Sequence, residues 1–186
     1  MKNDQERWNN RFKKRPLIHP KTPEFIVERL DQLLPGTVLD VASGDGAAAL
    51  YLASKGFSVT AIDISEHALE RLVLFSQQQN LKIDVCAVDL DQASSLSHLG
   101  TFDNIVIAHF KPESKLWPIL VSLLHPGGKL LLSTFNLKHH LENNFSRRFC
   151  LEEKELISIS DKLVLEHYAS VNRNGNHMDD YLFRRI

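Results

Sequence analysis

Val38-Leu39-Asp40-Val41-Ala42-Ser43-Gly44-Asp45-Gly46-Ala47-Ala48-Ala49 joins a short apolar run to a small-residue turn and then to a helix-forming stretch. Thr37 to Val41 predicts a buried strand, Ala42 to Gly46 a tight turn, and Ala47 to Lys55 a helix ended by Gly56. The unit then repeats, with a strand over Phe57 to Ile62, an N-capping Ser65 and a helix from Glu66 to about Gln79. Strand, helix and strand in that order predict parallel pairing through right-handed crossovers.

Further strands are expected at Lys82 to Val88, Asp103 to Ala108 and Lys129 to Phe135, with a helix near Ser114 to Leu124. The turn Pro126-Gly127-Gly128 leads into the last of these. Upstream, Pro16 to Pro20 reads as extended, and Thr22 as the N-cap of a helix with Pro23 in its first turn. That helix places Phe25, Ile26, Leu30 and Leu33 on one face and stops at Pro35-Gly36. Downstream, Asn136 to Cys150 looks irregular and polar, and Leu151 to Ile157 like one short helix. Asn174-Gly175 between Lys162 to Val171 and Met178 to Arg184 is a strong hairpin signal. The expected fold is α/β, a Rossmann-like doubly wound sheet of five parallel strands plus a C-terminal antiparallel hairpin, seven strands in all, with helices on both faces.

The chain has 186 residues, enough for one domain with a sizeable core and too few for a nucleotide-binding domain plus a full substrate domain. One domain over 1–186 is expected: N-terminal helices or lid over 1–35, a cofactor-binding core over 36–135, a candidate substrate loop over 136–150, and a C-terminal helix and hairpin over 151–186. With 24% charged residues and a net charge of −1, nothing announces nucleic acid as a partner. The first fifteen residues carry six Lys or Arg against two acids, which reads first as a solvated helix. Cys86 and Cys150 form no CxxC pair, and the histidines join no metal-binding constellation, so neither a disulfide framework nor a metal is expected. The N-terminus has no apolar signal core and no stretch approaches a membrane span, so a cytoplasmic monomer or homodimer is expected.

In an open parallel sheet the ligand lies at the carboxyl ends of the strands, where strand order reverses. Asp40, Gly44, Gly46, Asp63 and Asp89 all map to that edge. Gly44-x-Gly46-x-x-Ala49 also satisfies the dinucleotide fingerprint, with Asp63 downstream to hold a ribose. Charge separates the candidates: Asp40 precedes the glycines and Asp45 lies between them with no Lys or Arg nearby, which would repel a pyrophosphate. S-adenosylmethionine has no phosphate and carries an ammonium and a sulfonium, so the same acids favour it over NAD. Asp63 can accept both ribose hydroxyls, Asp89 the adenine amino group beside the Leu90 N–H, and Asp40 the methionine ammonium.

Val38 to Gly46, Val59 to Ser65, Val88-Asp89-Leu90, Phe102 to Val106 and Leu124 to Leu130 together resemble the motifs of class I S-adenosylmethionine-dependent methyltransferases. The resemblance adds Ala42, Ser43, Ile64 and Ala108 to the cofactor-binding set, and the terminal hairpin fits it too. Trp8 to Phe12, Arg15-Pro16, Pro23 to Phe25 and Thr134-Phe135 are similar to small bacterial proteins related to the tellurite-resistance and thiopurine-methyltransferase-like groups. Two positions depart from the pattern: Ala42 stands where many members have the first glycine, and Ser133 where an acid often precedes the Thr-Phe pair.

Methyl transfer to a small-molecule acceptor is the expected function, with S-adenosylhomocysteine as product. Most of the acceleration comes from holding nucleophile and methyl in line. For a hydroxyl or amine acceptor, His109 after the fourth strand is the candidate general base. Phe110 is expected beside adenosine or substrate, Trp8 and Phe12 in a lid, and Arg147 and Arg148 in a basic acceptor loop. The alternatives are an RNA or protein methyltransferase, an S-adenosylmethionine-binding protein without turnover, and an NAD-dependent oxidoreductase.

Overall fold

A computed structural model describes residues 2–92, 96 and 98–186. Seven strands, β1 (Thr37–Val41), β2 (Ser58–Asp63), β3 (Ile83–Ala87), β4 (Phe102–Ala108), β5 (Leu124–Phe135), β6 (Leu163–Arg173) and β7 (Asn176–Arg185), form one sheet in the order β3-β2-β1-β4-β5-β7-β6. The first five pair in parallel, and β7 inserts antiparallel between β5 and β6. Strand order reverses at β1, whose neighbours β2 and β4 both run beside it, so the crevice sits over the turn Ala42 to Gly46.

Period-two alternation divides the core between the two faces. Leu39, Ile62, Ile105, Ile107 and Leu132 pack against α5 (Trp117–Leu123) through Trp117 and Leu120. Val38, Val59, Ala61, Val106 and Leu131 pack against α3 (Ala47–Ser54) and α4 (Glu66–Gln78) through Leu50, Leu52, Leu72 and Phe75. Burying each of these large side chains contributes about 1.5–3 kcal/mol. Ser65 caps α4 as expected, its side chain accepting from the Ala68 N–H. The hairpin turns on Asn174 and Gly175 at φ 53° and 85°, the left-handed pair that a type I′ turn requires. Among the described residues no helix is long and apolar enough to cross a membrane.

Several elements differ from the sequence expectations. Besides α1 (Lys2–Lys14), the N-terminal region holds a helix α2 of only Glu24–Glu28, whose N-cap is Pro23 and not Thr22, followed by a 3-10 turn at Leu30–Gln32. The break at Arg29 turns two side chains toward the hairpin: Glu28 meets Arg173 at 2.8 Å and Arg29 meets His167 at 2.7 Å. Strand β5 starts at Leu124, ahead of Lys129, and its pairing with β4 slips across the Pro126-Gly127-Gly128 bulge. The helix expected over Ser114 to Leu124 begins as a 3-10 turn, Ser114–Leu116. Asn136 to Cys150 is not irregular: Asn136 caps α6 (Leu137–Asn143) by accepting the His139 N–H, and a 3-10 turn covers Arg147–Phe149. Leu151 to Ile157 is a run of turns instead of a helix, because Lys154 adopts φ 56° and interrupts any helical ladder.

Candidate active site

The turn after β1 is held by carboxylates. Asp63, at the end of β2, accepts the Gly44 N–H and the Ser65 N–H, both at 2.8 Å. Asp40 is fully buried in β1 and accepts the Ala49 N–H at 3.0 Å. The Ser43 N–H donates to the Ile62 carbonyl and the Gly46 N–H to the Ser43 carbonyl, both at 3.0 Å. A pyrophosphate cradle needs such amides free and pointing at the ligand. Here four of them already have acceptors, two of which are acids. Burial pushes the Asp40 carboxyl up to about 8, and burial likewise raises Asp63. Among the described residues no cation pairs with either carboxyl.

Asp45, expected from sequence to be uncompensated, is paired with cations. Arg15 and Arg71, distant in sequence, converge on it at 3.2 Å each, and Arg71 also donates to the carbonyls of Arg15 and Pro16. Asp45 is therefore neutralised and contributes no net repulsion toward a phosphate; its work is to tie the end of α1 to the glycine turn. Gly46 is also constrained by packing, since a Cβ there would collide with Leu72. A Cβ on Gly44 would lie 3.2 Å from the Phe12 ring, so Phe12 covers the turn directly.

Ala42 sits at φ 56°, a left-handed conformation that a Cβ disfavours. Ala42→Gly is expected to relieve about 1 kcal/mol of this strain. In a thermal melt the midpoint should rise by roughly 2–4 °C; a fall would show that the strain is smaller than the unfolded-state freedom that glycine adds.

The other predicted site residues lie along the same edge. Asp89 follows β3, and its oxygens accept from the Asp91 N–H and the Gln92 side chain at 3.0 and 2.9 Å. Ile64 and Leu90 are half-buried beside Asp63 and Asp89. Ala108 ends β4 opposite Ser133 of β5. His109 follows at φ 57°, its N–H donating to the Ser133 carbonyl at 2.8 Å and its ring stacked on Phe135 at 5.4 Å. Partial burial of the ring lowers the His109 pKa, although the residue as a whole is exposed. Phe110 is half-buried and packs into the layer under α5.

The predicted lid segments meet. Asn9 of α1 accepts the Ser65 hydroxyl at 2.8 Å, which seats α1 over the start of α4. Trp8 lies 6.3 Å from Phe12, and Arg7 lies over both Trp8 and Phe149 at 5.5 and 5.7 Å. Arg148 reaches Asp4 at 3.9 Å, whereas Arg147 is turned to Glu152 at 2.8 Å. A chain of contacts thus runs from Gly44 through Phe12, Trp8, Arg7, Phe149, Phe145 and Phe135 to His109, roofing the edge.

A family described as "Methyltransferase domain" matches residues 38–128, the segment that carries β1 to the start of β5 and every carboxylate of the floor. Over these residues the chain matches the class I methyltransferases in sequence and in fold. The ubiquinone biosynthesis O-methyltransferase of Xanthomonas euvesicatoria pv. vesicatoria is 30% identical over 135 residues, 69% of this chain and 56% of that protein. The chain thus spans little more than half the length of such curated relatives. TehB from Haemophilus influenzae shares the fold at TM-score 0.72 and 20% identity, covering 88% of this chain and 62% of that one. Magnesium protoporphyrin IX methyltransferase from Synechocystis PCC 6803, solved with bound SAM, aligns at TM-score 0.72 and 18% identity over 100% of this chain and 96% of its own.

Several residues that shape this candidate site have no signature in sequence. Asn9, Arg15 and Arg71 act across long separations, and Phe145 and Phe149 lie in a segment read as an irregular loop. The Asn136 cap is itself anchored by Asp179 of β7, which accepts its side-chain amide at 2.8 Å and the Tyr168 hydroxyl at 3.2 Å. The adjacency of β5 and β7, which brings Asn136 to Asp179, was the available signal.

Proposed function

We propose that this chain binds S-adenosylmethionine over Asp40, Asp63 and Asp89 and transfers its methyl group to a small molecule held at the ends of β4 and β5. The observation that carries this is the glycine turn whose amides are occupied by Asp63 and Asp40, leaving an acidic floor where a dinucleotide would need free N–H donors. The floor suits a phosphate-free cation. Among the described residues the buried Ser43 hydroxyl has no hydrogen-bond partner, which leaves it for a ligand's polar group at the same turn. Asp40 would meet the methionine ammonium, Asp63 the ribose hydroxyls through its remaining lone pairs, and Asp89 with Leu90 the adenine edge. When bound, the cofactor supplies a methyl carbon activated by a sulfonium. Phe12 and Trp8 cover the turn and exclude water, and Ala108 and His109 face the acceptor side.

His109 is the proton acceptor in this reading. Its lowered pKa keeps the imidazole neutral near pH 7, so its free nitrogen can take a proton from a hydroxyl or amine. A thiolate acceptor has no proton to lose. Incubating the protein with S-adenosylmethionine and a panel of small hydroxy, amino and thiol compounds, and quantifying S-adenosylhomocysteine, tests the proposal. For a hydroxyl acceptor, His109→Gln should lower kcat by roughly a hundredfold or more and remove the acidic limb of the pH profile. For a thiol the effect should be small. Cofactor binding with no product across the panel would favour a binding protein without turnover. A cytoplasmic location is part of the reading, supported by the unpaired Cys86 and Cys150.

A further inference from the structure

The cofactor reading assigns the turn after β1 and the ends of β2 and β3 to S-adenosylmethionine. Strand order then leaves the ends of β4 and β5, on the other side of β1, for the acceptor. That part of the edge is walled by rings. His109 stacks on Phe135 at 22° between planes, and Phe135 stacks in turn on His139 at 4.4 Å and also 22°. Phe145 closes on Phe135 at 4.7 Å, and Phe149 follows at 6.1 Å. Phe135, Phe145 and Phe149 each remain partly exposed, so the wall presents open aromatic surface and is not a filled core. Such a wall recognises a flat apolar body and offers little to a bare oxyanion.

Where this wall meets α1, the charge is reversed from that of the floor. Three guanidinium groups interleave with two rings: Arg11 lies over Trp8 at 5.1 Å, Arg7 between Trp8 and Phe149, and Arg148 over Phe149 at 4.3 Å. Asp4 is the carboxylate that meets this group, at 2.9 Å from Arg7 and 3.9 Å from Arg148. Among the described residues, three positive charges meet this one carboxylate and leave a cationic seam at the mouth of a site with an acidic floor. A guanidinium over an aromatic face can still donate from its N–H edge, as Arg7 does to Asp4, and that edge is the group that receives a carboxylate.

We propose that the acceptor is a planar aromatic anion, its ring against the His109, Phe135 and Phe149 wall and its anionic group at the Arg7, Arg11 and Arg148 seam. The inference rests on the cofactor reading, because that reading assigns the β4–β5 side to the acceptor. The seam joins the lid to the acceptor wall, so an anion bound there would also fasten the two.

The test is calorimetric titration of the whole chain, with S-adenosylhomocysteine already saturating, using 2-naphthoate, its neutral analogue 2-naphthamide, and selenite. The carboxylate is expected to bind at least about tenfold more tightly than the amide, and selenite not measurably. In Arg7→Gln/Arg148→Gln that preference should collapse to near parity, with a melting temperature close to that of the parent because both side chains are on the surface. Phe149→Ala should weaken the carboxylate and the amide alike. Equal binding of carboxylate and amide in the parent, no binding of either, or tighter binding of selenite overturns the acceptor class. If S-adenosylhomocysteine itself fails to bind, the cofactor reading falls first. The two failures are therefore separable.

Discussion

Asp63→Ala is expected to weaken S-adenosylhomocysteine binding by at least roughly a hundredfold, the value of two hydrogen bonds to an ionised group lost together. The same substitution acts on the free protein. Asp63 holds the Gly44 and Ser65 N–H groups at 2.8 Å each, so alanine leaves both amides of a nearly closed site without acceptors. That loss is expected to destabilise the fold by about 2–4 kcal/mol. Titration below the melting transition separates the two effects. Asp63→Asn sharpens the test, since it retains one acceptor oxygen for the turn and presents an amide where the ribose needs a second acceptor. Most of the stability should return while affinity stays at least about tenfold below that of the parent. Recovery of both together would mean that Asp63 only shapes the turn.

Asp40→Asn should move stability and binding in opposite directions. Asp40 is buried with no counter-ion among the described residues, and its pKa is pushed up to about 8. In the unfolded chain the same carboxyl ionises near pH 4. Between these values the folded state holds a proton that the unfolded state has released. Stability therefore falls as pH rises from about 4 to about 8. Asparagine has no charge to bury and still offers an oxygen to the Ala49 N–H. It should raise the melting temperature at pH 8 and do so much less at pH 5, where Asp40 is protonated in the fold. Binding should respond in the other sense. A ligand ammonium stabilises the ionised form, so affinity of the parent for S-adenosylmethionine should rise from pH 6 to pH 8. In Asp40→Asn that rise should vanish and affinity at pH 8 should drop by about tenfold or more. Unchanged affinity would remove the ammonium contact from the account.

The contrast between Asp40 and Asp45 shows where sequence reading succeeds and where it stops. Both are acids beside the glycines, and both were read as uncompensated. For Asp40 the burial of a central strand does make it so. For Asp45 the compensation comes from Arg15 and Arg71, whose approach depends on how α1 crosses α4, and no local pattern encodes that crossing. The fold itself was legible because each βα unit carries its own punctuation: the apolar run, the small-residue turn, the Ser65 cap, the Asn174-Gly175 hairpin. Elements decided by tertiary contact were not. Helix α6 has no apolar period and forms on the Asn136 cap, which Asp179 holds from the far end of the chain. The expected helix after Leu151 is stopped by the positive φ of Lys154, a residue with no intrinsic claim to that conformation. The positions of Trp8, Phe12, Arg147 and Arg148 near the edge were foreseeable. That Arg148 reaches the lid while Arg147 turns to Glu152 was not.

The central claim is that the floor under the glycine turn receives a cation and rejects a pyrophosphate. Calorimetric titration of the intact chain with S-adenosylhomocysteine and, separately, with NAD tests it directly. The account predicts one-to-one binding of S-adenosylhomocysteine in the micromolar range or tighter and no measurable heat with NAD. Binding of NAD without S-adenosylhomocysteine would contradict it, because the occupied amides of Ser43, Gly44, Gly46 and Ala49 would then have had to release their acceptors for a phosphate.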